Sequence, residues 1–244
     1  MSYIEIKNIW KYFQNNVILK KINLKIEKGT FICIFGPNGC GKTTLLNIIA
    51  GILIPDAGYV SIDGKKSNDN IIGYIFQDYR ESLLPWKTNL ENIAFPLELR
   101  GISKKERNTK VRDIVKNLNL RIPLDSYPYQ SSGGEQQLVA LLREIIAEPK
   151  VILMDEPFSS LHCKSRDYLK IEIQKIYKKL GLTIIFVSHE ITETMQLADR
   201  IIVMKKYPGE IINILNINFP RPRTEELVFS SGFSDIREIL RSQI

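Results

Sequence analysis

The chain has 244 residues, 44% of them hydrophobic and 25% charged, with a formal net charge of +7. That balance excludes a disordered or fibrous chain and fits one large α/β domain with room for a smaller subdomain. No apolar run approaches the length needed to cross a bilayer and no secretory leader is apparent, so work at a membrane would require docking on another protein.

The basic residues are scattered through Lys104–Lys116 and Lys164–Lys179 rather than gathered in a stripe with interleaved aromatics. Solvated helix faces account for them better than a nucleic-acid surface. The three cysteines, Cys33, Cys40 and Cys163, show no C-x-x-C spacing and read as buried or small-residue positions in a reducing compartment. The two histidines lie far apart in sequence, which argues against a metal cluster.

Tyr3–Ile6 alternates like an edge strand, and Val17–Ile26 follows with Ile22, Leu24 and Ile26 on one face. The aromatic cluster Trp10, Tyr12 and Phe13 lies between them, as plain packing or as a platform for a stacked base. Phe31–Phe35 is a buried strand entering Gly36-Pro37-Asn38-Gly39-Cys40-Gly41-Lys42-Thr43-Thr44, a complete G-x-x-x-x-G-K-[ST] loop. Leu45, Leu46, Ile48 and Ile49 then form the apolar face of a helix. Glycines let backbone N–H groups turn onto phosphate oxygens, and the helix start adds its positive end. Lys42 suits the β- and γ-phosphates and Thr43 suits Mg²⁺. These residues predict a nucleoside triphosphate site.

Beyond the loop, Pro55–Gly58 reads as a turn, Tyr59–Ile62 as a strand, and Ile71–Phe76 as a second strand delivering Gln77. From about Leu83 to Leu124 the chain becomes helical. Thr88 is the expected cap of a helix through Phe95, and Ser103–Glu106 is a capping-box pattern before Val111, Ile114, Val115 and Leu118. This block interrupts a strand–helix chain and reads as an inserted subdomain. Ser131-Ser132-Gly133-Gly134-Glu135 opens a helix to about Glu148 and offers a second anion-binding start, or simply an N-cap. Val151–Met154 is a buried strand ending in Asp155 and Glu156, which suit Mg²⁺ and water activation in a phosphate-loop protein. Leu169, Ile173, Ile176, Tyr177 and Leu180 mark an amphipathic helix, and the strand Thr183–Val187 exits at Ser188-His189-Glu190. Ile201–Met204 is a further strand, Leu215, Ile217 and Phe219 alternate, and a short helix is expected near Ile236–Leu240.

Phosphate loop, Gln77, Ser-Gly-Gly-Glu, Asp155-Glu156 and His189, in that order, resemble the ATP-binding subunit of ABC transporters over the chain to about Arg223. The resemblance implies an α/β P-loop NTPase core with an N-terminal antiparallel β subdomain and an inserted α-helical subdomain. Its expected extents are 1–223 for the cassette, about 83–148 for the insert and 224–244 for a tail. It implies ATP and Mg²⁺ as ligands, with Phe13 stacking on adenine and Gly36–Thr44 holding phosphates. It gives Thr43, Gln77 and Asp155 to Mg²⁺, Gln77 also to the attacking water and to signalling toward the permease, Glu156 to the general base and His189 to the γ-phosphate. Ser132, Gly133 and Gly134 match the signature that closes over ATP on the opposite subunit. The implied assembly is therefore a head-to-tail cassette dimer, simplest as a homodimer.

Ser82–Trp86, Asn92–Glu98, Met154–Phe158, Pro208–Ile211 and Arg221–Arg223 further resemble the importers of nitrate, taurine and other sulfonates, and thiamine-precursor pyrimidines. That resemblance implies a membrane permease docked near Gln77–Pro96, an extracytoplasmic solute-binding protein, and a peripheral position on the cytoplasmic face of the membrane. A non-transport ABC ATPase on nucleic acid, and an export or regulatory subunit, are the alternative readings. Four positions depart from the family pattern. Ser131 stands for Leu, Glu135 for Gln, Leu138 for Arg, and His162 for Asp. The last implies slower hydrolysis or an altered pH profile.

Overall fold

The computed structural model describes residues 2–78 and 82–242. In chain order, β1 (Ile4–Phe13) and β2 (Asn16–Ile26) form a hairpin, and β3 (Phe31–Phe35) leads into α1 (Lys42–Ile49). β4 (Ala57–Ile62) and β5 (Lys65–Lys66) rejoin the hairpin in an antiparallel sheet of order β2-β1-β4-β5. After β6 (Ile72–Ile75) come α2 (Asn89–Leu99), α3 (Lys104–Leu118) and α4 (Gly133–Ile145). Strand and helix then alternate through β7 (Val151–Asp155), α5 (Cys163–Leu180), β8 (Ile184–Ser188), α6 (Ile191–Leu197) and β9 (Arg200–Lys205), and β10 (Glu210–Asn216), α7 (Glu225–Phe229) and α8 (Ser234–Arg241) follow. The second sheet has the order β10-β9-β3-β8-β7-β6, parallel except for β10.

The central strands are buried on both faces, and their two-residue period divides the interior. Phe31, Cys33 and Phe35 of β3 face one core with Ile152, Met154, Ile184, Phe186, Ile201 and Val203. Ile32 and Ile34 face the other with Val151, Leu153, Ile185, Val187, Ile202 and Met204. The first core is covered by helices, the second by α1 and the antiparallel sheet. Each fully buried Phe or Ile contributes about 1.5–3 kcal/mol of transfer free energy, so continuous apolar runs suffice to fix this sandwich.

Several expectations need correction. β1 is not an edge strand of four residues; it lies between β2 and β4 and runs to Phe13, so the aromatic cluster belongs to it. Register shifts beyond Ile6, with Asn8 at φ 50°, move the inward face to Ile9 and Lys11. That bulge breaks the alternation on which the short reading rested. β4 begins at Ala57, inside the expected turn. α2 continues through Pro96 to Leu99, with Ile93, Ala94 and Leu97 (4% exposed) packed into the helix-covered core on either side of the proline. α4 ends at Ile145, three residues early, and Glu148 turns at φ 54°. Ser103 caps α3 through Glu106 N–H, but Glu106 pairs with Lys110 instead of returning to the cap. Among the described α-helices, Thr88 with Glu91 and Ser132 with Glu135 form complete capping boxes. Cys163 is exposed as the first residue of α5, while Cys33 and Cys40 are buried.

Residues 224–242 add Val228, Phe233 and Leu240 to the helix-covered core. Their anchor is Arg223, 1% exposed, whose guanidinium donates to carbonyls of Phe219, Met195, Ala198 and Ile217. Gln174 brackets the same residue through its backbone N–H and C=O. Burial, then neighbouring Arg221, lower its pKa to about 10, and it remains a cation at neutral pH. Among the described residues no helix is long and apolar enough to cross a membrane.

Candidate active site

At the C-terminal end of β3 the chain wraps into Gly36–Gly41 before α1. Gly39 and Gly41 have φ 81° and 92°, a region that a residue with a Cβ avoids. A Cβ at Gly36 would lie 2.5 Å from Met204 O, so the loop packs backbone to backbone on β9. Cys40 N–H closes the loop on Pro37 O at 3.3 Å, and burial raises its thiol pKa, keeping it protonated. Lys42 is 5% exposed, and its ammonium donates to Gly36 O at 2.9 Å and Pro37 O at 3.2 Å. Among the described residues it is in ion-pair contact with no carboxylate. A buried ammonium held only by neutral carbonyls is a site prepared for an incoming anion. α1 has no side-chain cap, so its first N–H groups add to that site.

A cleft of about 430 Å³ opens over the loop. Asn38, Gly39, Gly41 and Lys42 to Thr44 form its floor, Phe13 and Ile18 a wall, and Gln77 and Glu156 the far side. Phe13 is 48% exposed, with Lys11 Nζ 5.6 Å from its ring centroid. Tyr12, its neighbour on the strand, stacks on Trp10 with ring centroids 6.1 Å apart and does not line the cleft. Strand alternation separates the two.

The strand ends of the parallel sheet bring the remaining polar groups here. Thr43 Oγ1 donates to Asp155 Oδ1 at 3.0 Å. Burial raises the Asp155 pKa, and the charge of Glu156 adds to it; the Thr43 hydrogen bond and Lys42 oppose. Glu156, at φ 44° just beyond β7, has Oε1 3.1 Å from His189 Nδ1, which leaves β8 next door. Thr43, Asp155 and Gln77 offer hydroxyl, carboxylate and amide oxygens, the hard donors that suit Mg²⁺. Chemistry of the donor set, the glycine cradle and the unpaired ammonium all fit a magnesium nucleotide.

Ser132, Gly133 and Gly134 do not line this cleft. They start α4, where Ser132 Oγ accepts from Glu135 N, and Glu135 Oε2 takes the Ser132 N–H at 2.7 Å and hydroxyl at 2.8 Å. The departures nearby have local reasons. Ser131 Oγ accepts from buried Asn89 Nδ2 at 2.8 Å, and Leu138 is fully buried in the helix-covered core. His162 is the N-cap residue of α5 yet makes no capping hydrogen bond.

Sequence reasoning missed Gly209 as part of the site. It exchanges backbone hydrogen bonds with Ile18 and Lys20 at 2.9 Å, and a Cβ there would press into Cys40 O. The Pro208–Gly209 step is visible in the sequence, but no local pattern tells that it backs a loop some 170 residues earlier.

The profile of the ABC transporter family matches residues 19–159. The aliphatic sulfonates import ATP-binding protein of Bacillus cereus is 37% identical over 246 residues, covering 98% of this chain and 95% of that protein. The spermidine/putrescine import ATP-binding protein of Thermotoga maritima is 39% identical over 216 residues, covering 86% of this chain but 58% of its own length. Among solved structures, a dimeric ATP-binding cassette in a post-hydrolysis state bound to ADP and Pi superposes with a TM-score of 0.73. It shares 32% identity and covers 89% of this chain and 100% of that one. The loop, the paired acids and the two-core α/β sandwich have the same explanation: this chain belongs to the ABC transporter family and is an ATP-binding, ATP-hydrolysing cassette.

Proposed function

We propose that this cassette powers uptake of a small solute through a membrane permease, as one of two copies arranged head to tail. The observation that carries the reading is the division of the site. The phosphate loop, Gln77 and Glu156 line one cleft, with Asp155 hydrogen-bonded to Thr43 and His189 to Glu156 beside it, while Ser132–Gly134 start a different helix outside it. A second copy supplying its signature completes each site. Closure around ATP and reopening after hydrolysis then drive the permease through the differing ATP affinity of the two states.

In this reading the loop N–H groups and Lys42 grip the phosphates and Phe13 stacks on the adenine. Thr43, Asp155 and Gln77 would hold Mg²⁺, which supplies charge neutralisation at the β- and γ-phosphates when bound. Glu156 takes a proton from the attacking water on a carboxylate oxygen. His189, its Nδ1 held by Glu156, keeps Nε2, 3.8 Å from Glu190 Oε1, for a γ-phosphate oxygen. Gln77 lines the cleft just before the helical block, so a contact there with the attacking water would suit it to report nucleotide state to a permease docked near 77–96. Tyr79, Arg80 and Glu81 of that segment lie outside the described residues. Trp86, 71% exposed, is the apolar surface in it that a partner would cover.

The solute class we favour is nitrate, a sulfonate such as taurine, or a pyrimidine precursor, captured by an extracytoplasmic binding protein. The near full-length match to an aliphatic sulfonates import protein supports it. The cassette itself would sit peripherally on the cytoplasmic face. The test is to tag this chain in its native cell, solubilise membranes gently and identify what co-purifies. A polytopic permease, with a binding protein that takes up sulfonates, nitrate or pyrimidines, is the expected result. Recovery only with DNA or ribosomal proteins would overturn the transport reading.

A further inference from the structure

Glu156 and His189 leave adjacent strands, and the hydrogen bond from Glu156 N to Val187 O (3.2 Å) ties their backbones together. It does not fix their side chains. Those depend on the turns that follow and precede them. After Glu156, Ser159 donates its N–H and hydroxyl back to Glu156 O at 3.2 and 3.0 Å, and the turn ends at Leu161. Arg166, in the first turns of α5, donates Nη2 to Leu161 O at 3.2 Å and holds Nη1 3.8 Å from Glu193 Oε1. Glu193, 5% exposed on α6, accepts the Ser188 hydroxyl on Oε2 at 2.8 Å. Ser188 directly precedes His189, and its Oγ accepts Glu190 N–H at 3.0 Å. His189 Nδ1 then returns to Glu156. The path closes on itself.

We propose that Arg166 and Glu193 are positioning residues, which hold His189 against Glu156 by closing a ring of contacts through Leu161 and Ser188. The inference rests on the roles given above to Glu156 and His189. A buried carboxylate is a costly way to hold a serine hydroxyl, which a neutral amide would hold as well. Among the described residues its ion-pair partner is Arg166, at 3.8 Å. Neighbouring Lys170 is already paired with Asp167 at 2.8 Å. Arg166 Nε is buried without a partner, so the guanidinium is oriented by Leu161 O and Glu193 alone among its observed contacts. α5 and α6 are thereby locked at the points from which the two site residues emerge, and a movement of either turn is transmitted to the other.

Two histidines in the chain make the test direct. Ring-¹³C-histidine labelling gives two sets of imidazole signals, assigned with His162→Asn. The isosteric Glu193→Gln, and Arg166→Lys as the milder change, are compared with wild type by three readouts. We expect the His189 signals to shift or broaden in both variants. We expect kcat of the assembled transporter to fall roughly 10- to 100-fold, as for small misplacements of reacting groups, with KM for ATP and binding of a fluorescent ATP analogue within twofold. Thermal melting at neutral pH should not drop for Glu193→Gln, which separates positioning from loss of fold. Unchanged His189 signals, or unchanged kcat, would overturn the proposal, as would loss of ATP binding and melting temperature together. Glu156→Gln and His189→Ala, run alongside, report on the underlying reading. If they retain wild-type turnover, the assigned roles fail first; if they abolish it while the Arg166 and Glu193 variants do not, only the ring fails.

Discussion

Two helices in this chain begin with glycine-rich turns, and they treat their exposed N–H groups in opposite ways. α1 follows Gly41 in a left-handed conformation and has no side-chain cap. α4 begins at Ser132 with a complete capping box, and its closing residue is the carboxylate of Glu135. The first helix leaves its positive end for a ligand, beside a buried ammonium. The second satisfies itself and sets a negative charge on the serine that the dimer reading gives to a partner's phosphate. One is a finished anion site in the free chain. The other must exchange an internal hydrogen bond for an external one, which makes ligation at the signature depend on closure.

The largest effect that bears on this contrast is at the chemistry itself. Glu156→Gln should lower kcat by about 10²–10⁴-fold in the assembled complex and leave ATP binding intact, because the phosphate end is independent of it. Equal loss of ATP binding, measured by fluorescence, would mean the two are not separable. Next is the loop's support: Gly209→Ala should destabilise by about 1–3 kcal/mol through overpacking against Cys40 and weaken nucleotide binding, read by melting with and without ATP. At α4, Glu135→Gln should strengthen ATP-driven dimerisation several-fold by removing charge repulsion, measured by sedimentation with Glu156→Gln as background. No change would show that the capping carboxylate does not face the phosphate.

Smaller effects concern the helices behind the site. His162→Asp supplies the missing cap of α5, worth about 0.5–2 kcal/mol. Melting should rise by roughly 2–4 °C per kcal/mol, with ATPase preserved or increased; a severe loss of activity would refute it. Burial raises the Glu193 pKa, outweighing its Ser188 hydrogen bond and Arg166 and Lys170 nearby, with Glu190 adding to the rise. Its folded value lies above the unfolded one, so the stability linked to it is present at low pH and lost as pH climbs past the ordinary carboxylate range. The melting advantage of Glu193→Gln over wild type should therefore grow from pH 5 to pH 8.

Legibility differed by kind of feature. The phosphate loop, the two acids and the strands flanking them were readable because glycine, lysine and continuous apolar runs carry their meaning locally. The bulge in β1 was not, since Lys7 and Asn8 are unremarkable and the register shift is decided by pairing with β2 and β4. The end expected at Phe95 was not met, since the helix runs through Pro96 with Ile93, Ala94 and Leu97 in the helix-covered core, a packing that no local pattern displays. The place of the tail was not legible either, because it is set by Arg223, which bonds to Gln174 of α5 and Met195 of α6.

By itself the sequence identified a phosphate loop, with Lys42 and Thr43 as the expected partners of a triphosphate and its metal, and a helical block that interrupts the α/β core. These follow from short-range rules: φ at glycine, strand period, helix period. Only the tertiary structure decided that Gly209 braces the loop, that β1 shifts register after Ile6, and that Arg166 meets Glu193 between α5 and α6. Each joins segments that are distant in the chain, and such meetings are set by which faces bury together, a property of the packed whole.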